Sequence, residues 1–207
     1  MIKHFAPRRV AALLAAGALL ATVAPSAQAD SLGYSYWQLG YVSVDIDGLS
    51  TELDGWGVGL SYEVTDRIFI NAGYTDIGST ISGLDIDEQD LTLGVGYAYP
   101  ITPHNDLIGR VGYVRAEAEL GGFGDASDDG YSLGVGWRSR PLDPIELEAA
   151  VNYVDLSDAG DTTSFGLAGF WYFTPQVALA IGGTYSDDAT SYTIGVRGTW
   201  GRQATRD

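Results

Sequence analysis

Six charged residues stand out of phase with their surroundings. Glu63, Arg110, Arg138, Glu146, Glu148 and Arg197 lie in segments where every second residue is large and apolar, and each falls among the small or polar residues between. A guanidinium can fork onto two carboxylates, so this set supports two kinds of chemistry. One is a charged constriction that selects ions in a narrow pore. The other is a salt-bridged plug that keeps unpaired charge out of a confined space. A second set is purely acidic: Asp85, Asp87, Glu88 and Asp90, followed by Asp125, Asp128 and Asp129. Carboxylates are hard oxygen donors, so loops carrying them are candidates for Ca2+ or Mg2+. The plainer reading is a solvated, self-repelling face. The run Asp125 to Gly130 begins like an EF-hand loop, but the twelfth position is Gly136 where that loop needs Glu, so no dedicated metal site is assigned.

Covalent and acid–base chemistry have little to work with. There is no cysteine, and of the two histidines only His104 lies beyond the leader described below, in a proline-rich turn. Paired carboxylates such as Asp128 and Asp129 can exchange protons, but among 27 acids any such pair is expected by chance. The expectation is no enzyme and no cofactor.

The elements that must position these residues are strands. Trp56-Gly-Val58-Gly-Leu60-Ser-Tyr62 and Leu91-Thr-Leu93-Gly-Val95-Gly-Tyr97 alternate large apolar with small residues, as do Tyr131 to Trp137 and Tyr192 to Val196. Period two in a strand means one greasy face and one small or wet face. The alternation predicts ten strands near 33–46, 53–65, 67–77, 89–99, 107–119, 130–139, 145–156, 163–173, 177–187 and 191–200, with eight as the alternative count. Compact connections at 65–66, 100–106, 140–144 and 174–176 take turns with Gly-, Ser- and Asp-rich ones at 47–53, 78–88, 120–129, 157–162 and 188–190. Aromatic residues collect at both strand ends. Trp56, Tyr74, Tyr113, Tyr131, Tyr153, Phe165, Tyr185 and Tyr192 mark one, and Trp37, Tyr62, Tyr97, Tyr99, Trp137, Trp171, Phe173 and Trp200 the other. Trp37, Trp56, Trp137, Trp171 and Trp200 are thereby read as members of a membrane girdle.

Processing and charge set the location. Lys3, Arg8 and Arg9 precede an apolar run from Val10 to Val23 and an Ala27-Gln-Ala29 cleavage signal, so residues 1–29 read as an exported leader. Residues 30–200 form the barrel and 201–207 a short tail. Without the leader, eight arginines and no lysine face 27 acids, a net charge of −19. That argues against nucleic acid and for cationic partners.

Leader, alternating strands, two girdles and the final Tyr192-x-Ile194-x-Val196-x-Gly198-x-Trp200 strand together resemble the small outer-membrane β-barrel proteins of Gram-negative bacteria. Within them the likeness is to the porin-like outer membrane protein β-barrel domain group, kin in shape to the OmpA and OmpX transmembrane domains. The resemblance implies a closed antiparallel up-and-down barrel in the outer membrane. Its surroundings would be lipid and lipopolysaccharide, and the assembly machinery would read the final aromatic, here Trp200, although Gly201 to Asp207 follow it. Three functions are carried forward. The first is a non-enzymatic envelope protein with acidic surface loops, serving envelope integrity or surface interaction. The second is a narrow ion or small-solute channel. The third is a soluble, lipocalin-like periplasmic binder, which requires the apolar face to point inward.

Overall fold

The computed structural model describes residues 32–48, 51–81, 83–121 and 124–200. The leader at 1–29 and the tail at 201–207 lie outside the described residues. Ten strands follow one another: β1 (Tyr36–Ile46), β2 (Leu53–Glu63), β3 (Ile68–Ile81), β4 (Leu84–Thr102), β5 (Asn105–Leu120), β6 (Gly124–Leu142), β7 (Ile145–Leu156), β8 (Gly160–Tyr172), β9 (Val177–Ser186) and β10 (Ala189–Thr199). Each pairs antiparallel with its sequence neighbours, and β1 pairs with β10, so the sheet closes without an edge. Closure leaves no open sheet edge where the barrel wall is continuous, as a lipid environment demands.

The expected count of ten is therefore observed, but two of the connections differ. The loops expected at 78–88 and 120–129 are mostly ladder: β3 and β4 pair as far as Ile81 opposite Leu84, and β5 and β6 as far as Leu120 opposite Gly124. Gly83 and Gly124 adopt φ of 82° and 108°, a left-handed backbone in which a side chain would be strained, and this lets the hairpins turn tightly. At the opposite end Pro100 and Pro141 fall inside strand ends rather than in turns. Both coincide with register shifts, where the missing amide costs no ladder bond.

The outward face carries a continuous apolar band that includes Leu39, Leu60, Ile70, Leu93, Val111, Leu133, Val151, Leu167, Ile181 and Ile194, all exposed. A band of this kind is tolerable only against lipid. It is the reverse of what a soluble lipocalin-like binder needs. All five tryptophans face outward too, Trp56 toward one end and Trp37, Trp137, Trp171 and Trp200 toward the end where β1 begins and β10 finishes, hereafter the inner end.

Beyond the aromatic residues at the outer end, the pattern inverts. Outward positions become acidic (Asp45, Asp54, Asp85, Asp87, Glu117, Glu119, Asp125 and Asp129), while Val42, Val44, Ile46, Leu53, Ile77 and Ile86 turn inward and pack as one buried cluster. Val114, Ala116, Ala118, Val154 and Leu156 form a second. The strands have left the membrane, and period two now places water outside and oil inside.

Candidate functional site: a charged plug in the lumen

The inward residues at the inner end are large, aromatic or charged. Arg138 on β6, Glu146 and Glu148 on β7 and Arg197 on β10 meet there, exposed by 1%, 1%, 4% and 0% respectively. Alternation puts each on the lumen face, and side-chain length does the rest. β10 is three strands away from β7, yet Arg197 reaches across to Glu146 at 2.7 Å and Glu148 at 3.1 Å. Its guanidinium lies 3.4 Å from the ring centre of Phe170 and 4.6 Å from that of Tyr36. The rings cover it on its path through the lumen, a favourable arrangement for a desolvated cation. Its Nε donates to Gln38 Oε1 at 2.6 Å. Arg138 donates to the same Glu146 oxygen at 2.5 Å and lies 3.6 Å from Glu148. Two cations and two anions thus form a neutral buried quartet, with Glu146 Oε1 shared between both arginines.

The segment just before β1 completes the plug. Leu32 and Tyr34 are buried, and Tyr34 stacks on Phe69 at 4.1 Å between ring centres and 11° between planes. The Tyr34 amide donates to Glu63 Oε2 at 3.3 Å, the Glu63 amide to Ser35 Oγ at 3.2 Å, and the Trp200 amide to the Ser35 carbonyl at 3.0 Å. Arg138 donates to the Gly33 carbonyl at 3.4 Å. The expected first strand beginning at 33 thus opens three residues later, because 32–35 is taken up in the barrel mouth.

Of the six lumen charges read from the sequence, four form the quartet. Glu63 instead holds the Tyr34 segment. Arg110 lines a cavity of about 20 Å³ with Asn71, Thr92, Ser132 and Asn152. One member went unread: Asp106, assigned to a turn, is buried on the lumen face of β5 directly across from Arg138. Its phase with Ile108 and Arg110 was the available signal. Above the plug, small residues such as Gly40, Gly57, Gly59 and Ala168 leave a cavity of about 100 Å³, and the apolar clusters stand at its outer side.

The acidic set divides by parity. Asp85, Asp87, Asp125 and Asp129 face out, whereas Glu88, Asp90 and Asp128 are buried on the inner face. Asp128 accepts the amides of Asp129 (2.8 Å), Asp158 (2.8 Å) and Ala159 (2.7 Å), so its carboxylate fastens the β7–β8 connection. Among the described residues no three His, Cys, Asp or Glu side chains gather as a metal centre would require.

A closed barrel with an outward apolar band and aromatic ends agrees with a comparison against protein families, in which the model of the outer membrane protein β-barrel domain matches residues 11–198. The chain belongs to that family. Membership places it among the barrels of the bacterial outer membrane, and the alternation, the girdles and the closing strand are that family's architecture. Among solved structures it is similar to Ail, the attachment invasion locus protein of Yersinia pestis, at 14% identity over 81% of this chain and 100% of that one, with a TM-score of 0.44. It is similar also to OprG of Pseudomonas aeruginosa (12% identity, 84% and 100% covered, TM-score 0.46) and to the KdgM porin (10%, 79% and 99%, TM-score 0.45). A search of curated proteins finds no match.

Proposed function

We propose that this outer membrane barrel is closed and non-enzymatic, and that it acts through its outer surface in envelope integrity or surface interaction. The observation that carries the reading is the occupied lumen. The quartet of Arg138, Glu146, Glu148 and Arg197 and the tucked Tyr34 fill one end, and the two apolar clusters fill the other. An ion entering from outside would have to cross a dry apolar zone and then displace paired charges, each an energetic barrier. What remains for interaction is the acidic outer rim. It would contact lipopolysaccharide through bridging Ca2+ or Mg2+ held by exposed acids such as Asp85, Asp87, Asp125 and Asp129. The outward tryptophans would fix the barrel at headgroup level, and Trp200 would serve the assembly machinery. Residues 1–29 would be removed on export.

Planar-bilayer recording tests this reading. The wild-type protein, with insertion confirmed separately, is expected to give no discrete current steps. Steps whose ion selectivity changes in Arg138→Ala would overturn the closed reading in favour of a narrow channel filtered by the inner charges.

A further inference from the structure

Between the quartet and the outer apolar clusters lies the cavity of about 100 Å³, and two of the glycines on its wall have no structural duty. Gly57 and Gly59 on β2 are ordinary strand residues. Neither has a left-handed φ, and the ladders to β1 and β3 run through both without a register shift. Other lumen glycines answer to crowding: a Cβ at Gly55 would run into the Asp76 carbonyl, and one at Gly195 into the Leu39 carbonyl. At Gly57 and Gly59 the nearest atoms would be Thr75 Oγ1 at 3.5 Å and Gln38 Nε2 at 3.8 Å respectively, both ordinary contact distances. Alanine would fit at either position and suit the strand better, since glycine weakens a strand interior. With bulge and backbone crowding set aside, such a glycine marks room for a ligand that approaches closely.

The wall defines what that ligand is. None of the described residues lining the cavity is charged. Val42, Ala168 and Phe170 supply apolar surface, and Thr75, Thr184 and Gln38 supply hydroxyl and amide groups. The oxygen of Gln38 accepts from Arg197, so its amide nitrogen, beside Gly59, is the donor on that side. Tyr36 also lines the cavity; it is 1% exposed and its hydroxyl has no hydrogen-bond partner. A buried hydroxyl left unpaired is costly, which favours an occupant that can hydrogen-bond. A dry cavity of about 150 Å³ takes benzene, so about 100 Å³ takes roughly four heavy atoms. The apolar clusters on the outer side hold back ions, which would have to shed water there, but not an uncharged molecule with an apolar body.

We propose that this cavity is an occluded binding site for one small uncharged amphiphile, an apolar body of about four heavy atoms bearing a hydroxyl, as in a three-carbon alcohol. Its hydroxyl meets the threonine and glutamine groups, its carbons meet Val42 and Phe170, and Gly57 and Gly59 keep the volume open. The site goes beyond the closed reading and does not depend on it, because a barrel silent to ions can still hold a neutral molecule.

Protein purified from outer membranes and placed in lipid nanodiscs is titrated with 1-propanol, and with propionate and propylammonium as charged probes of similar size. Methyl NMR signals of Val42, Ala168 and Thr184 report the cavity; those of Val151 and Leu107, exposed on the lipid face, report partitioning into the bilayer. The expected result is a saturable, one-site shift of the cavity methyls with propanol and none with either charged probe, while Val151 and Leu107 shift only linearly. The double variant Gly57→Ala/Gly59→Ala is expected to unfold at a higher temperature and to lose the saturable shift. Gly169→Ala, on the lipid face, where a Cβ would meet nothing closer than 3.8 Å, should keep it. Linear shifts at every methyl, or a saturable shift unchanged in the double variant, overturn the proposal. So does binding of propionate or propylammonium as tight as that of propanol. A lower unfolding temperature in the double variant would assign the two glycines to strand geometry and overturn it as well. Should the double variant fail to fold, Gly59→Ala alone decides, and unweakened binding there overturns the proposal.

Discussion

Glu146→Gln and Glu117→Gln make a matched pair of perturbations, because distance and burial are separated between them. Glu117 pairs with Arg115 at 2.6 Å on the outward face, both side chains 48% exposed. Glu146 meets Arg138 at 2.5 Å and Arg197 at 2.7 Å inside the barrel, all of them essentially inaccessible. Distance alone would rank the two sites almost equal. Burial separates them. An exposed pair contributes about 0–1 kcal/mol, since water screens it and two long side chains must be ordered to make it. Removing one member of a buried pair costs about 3–5 kcal/mol, because the partner is left charged and unsolvated. In Glu146→Gln the two guanidinium groups of the quartet would be left with Glu148 as its one carboxylate, at 3.1 and 3.6 Å. The glutamine keeps the volume and one acceptor, so the expected loss lies toward the lower end, about 3 kcal/mol. Denaturant titration of protein folded in lipid vesicles measures it, with unfolding followed by tryptophan emission. The expected outcome is a clear fall in midpoint for Glu146→Gln and a change under about 1 kcal/mol for Glu117→Gln. Equal effects would mean that the inner lumen is hydrated enough to screen charge. That would refute the plug and revive the filter.

Two further substitutions address the parts that hold the plug and the rim. Gly96→Ala places a methyl group into the Phe69 ring, the ring on which Tyr34 stacks, so it should unseat residues 32–35 and speed their amide exchange while outward positions of β4 are unaffected; exchange-rate mapping reads this directly. Asp128→Ala removes the acceptor of the Asp158 and Ala159 amides and should cost about 1–3 kcal/mol, with faster exchange confined to the β7–β8 connection.

The ten strands were legible because lipid imposes a strict rule: wherever the chain faces the membrane, every second residue must be apolar. Leu91, Leu93, Val95 and Tyr97 obey it without exception, and the charges between such residues could be assigned to the lumen by phase alone. The outer hairpins were not legible for the same reason in reverse. Ile86 and Glu88 sit in an acidic, Gly- and Ser-rich run that reads as loop, yet they pair in register. Period two survives when a strand leaves the membrane, but the meaning of its two phases exchanges. Periodicity carries no label saying which phase is wet. The acidic run therefore reads as one set, whereas parity sends Asp85 and Asp87 to water and Glu88 and Asp90 into the barrel. Tyr34 was hidden differently: a residue that folds back into a mouth obeys no repeat.

The number of strands also explains why the plug is built from these particular side chains. An eight-strand barrel has an interior that ordinary side chains just fill, and diameter grows with strand number. Ten strands lined by glycine and alanine would leave a channel, as the small residues around the central cavity of about 100 Å³ indicate. Closing a wider lumen takes either longer side chains or extra chain, and both are used. Arg197 crosses from β10 to β7, and residues 32–35 enter the mouth with Tyr34 against Phe69. A long apolar side chain could span the same gap but would have nothing to fix its end. A guanidinium ends in a rigid fork, and here two carboxylates on one strand hold it in place. Reach and anchoring together favour arginine, which is why the longest buried side chains in this barrel are the charged ones.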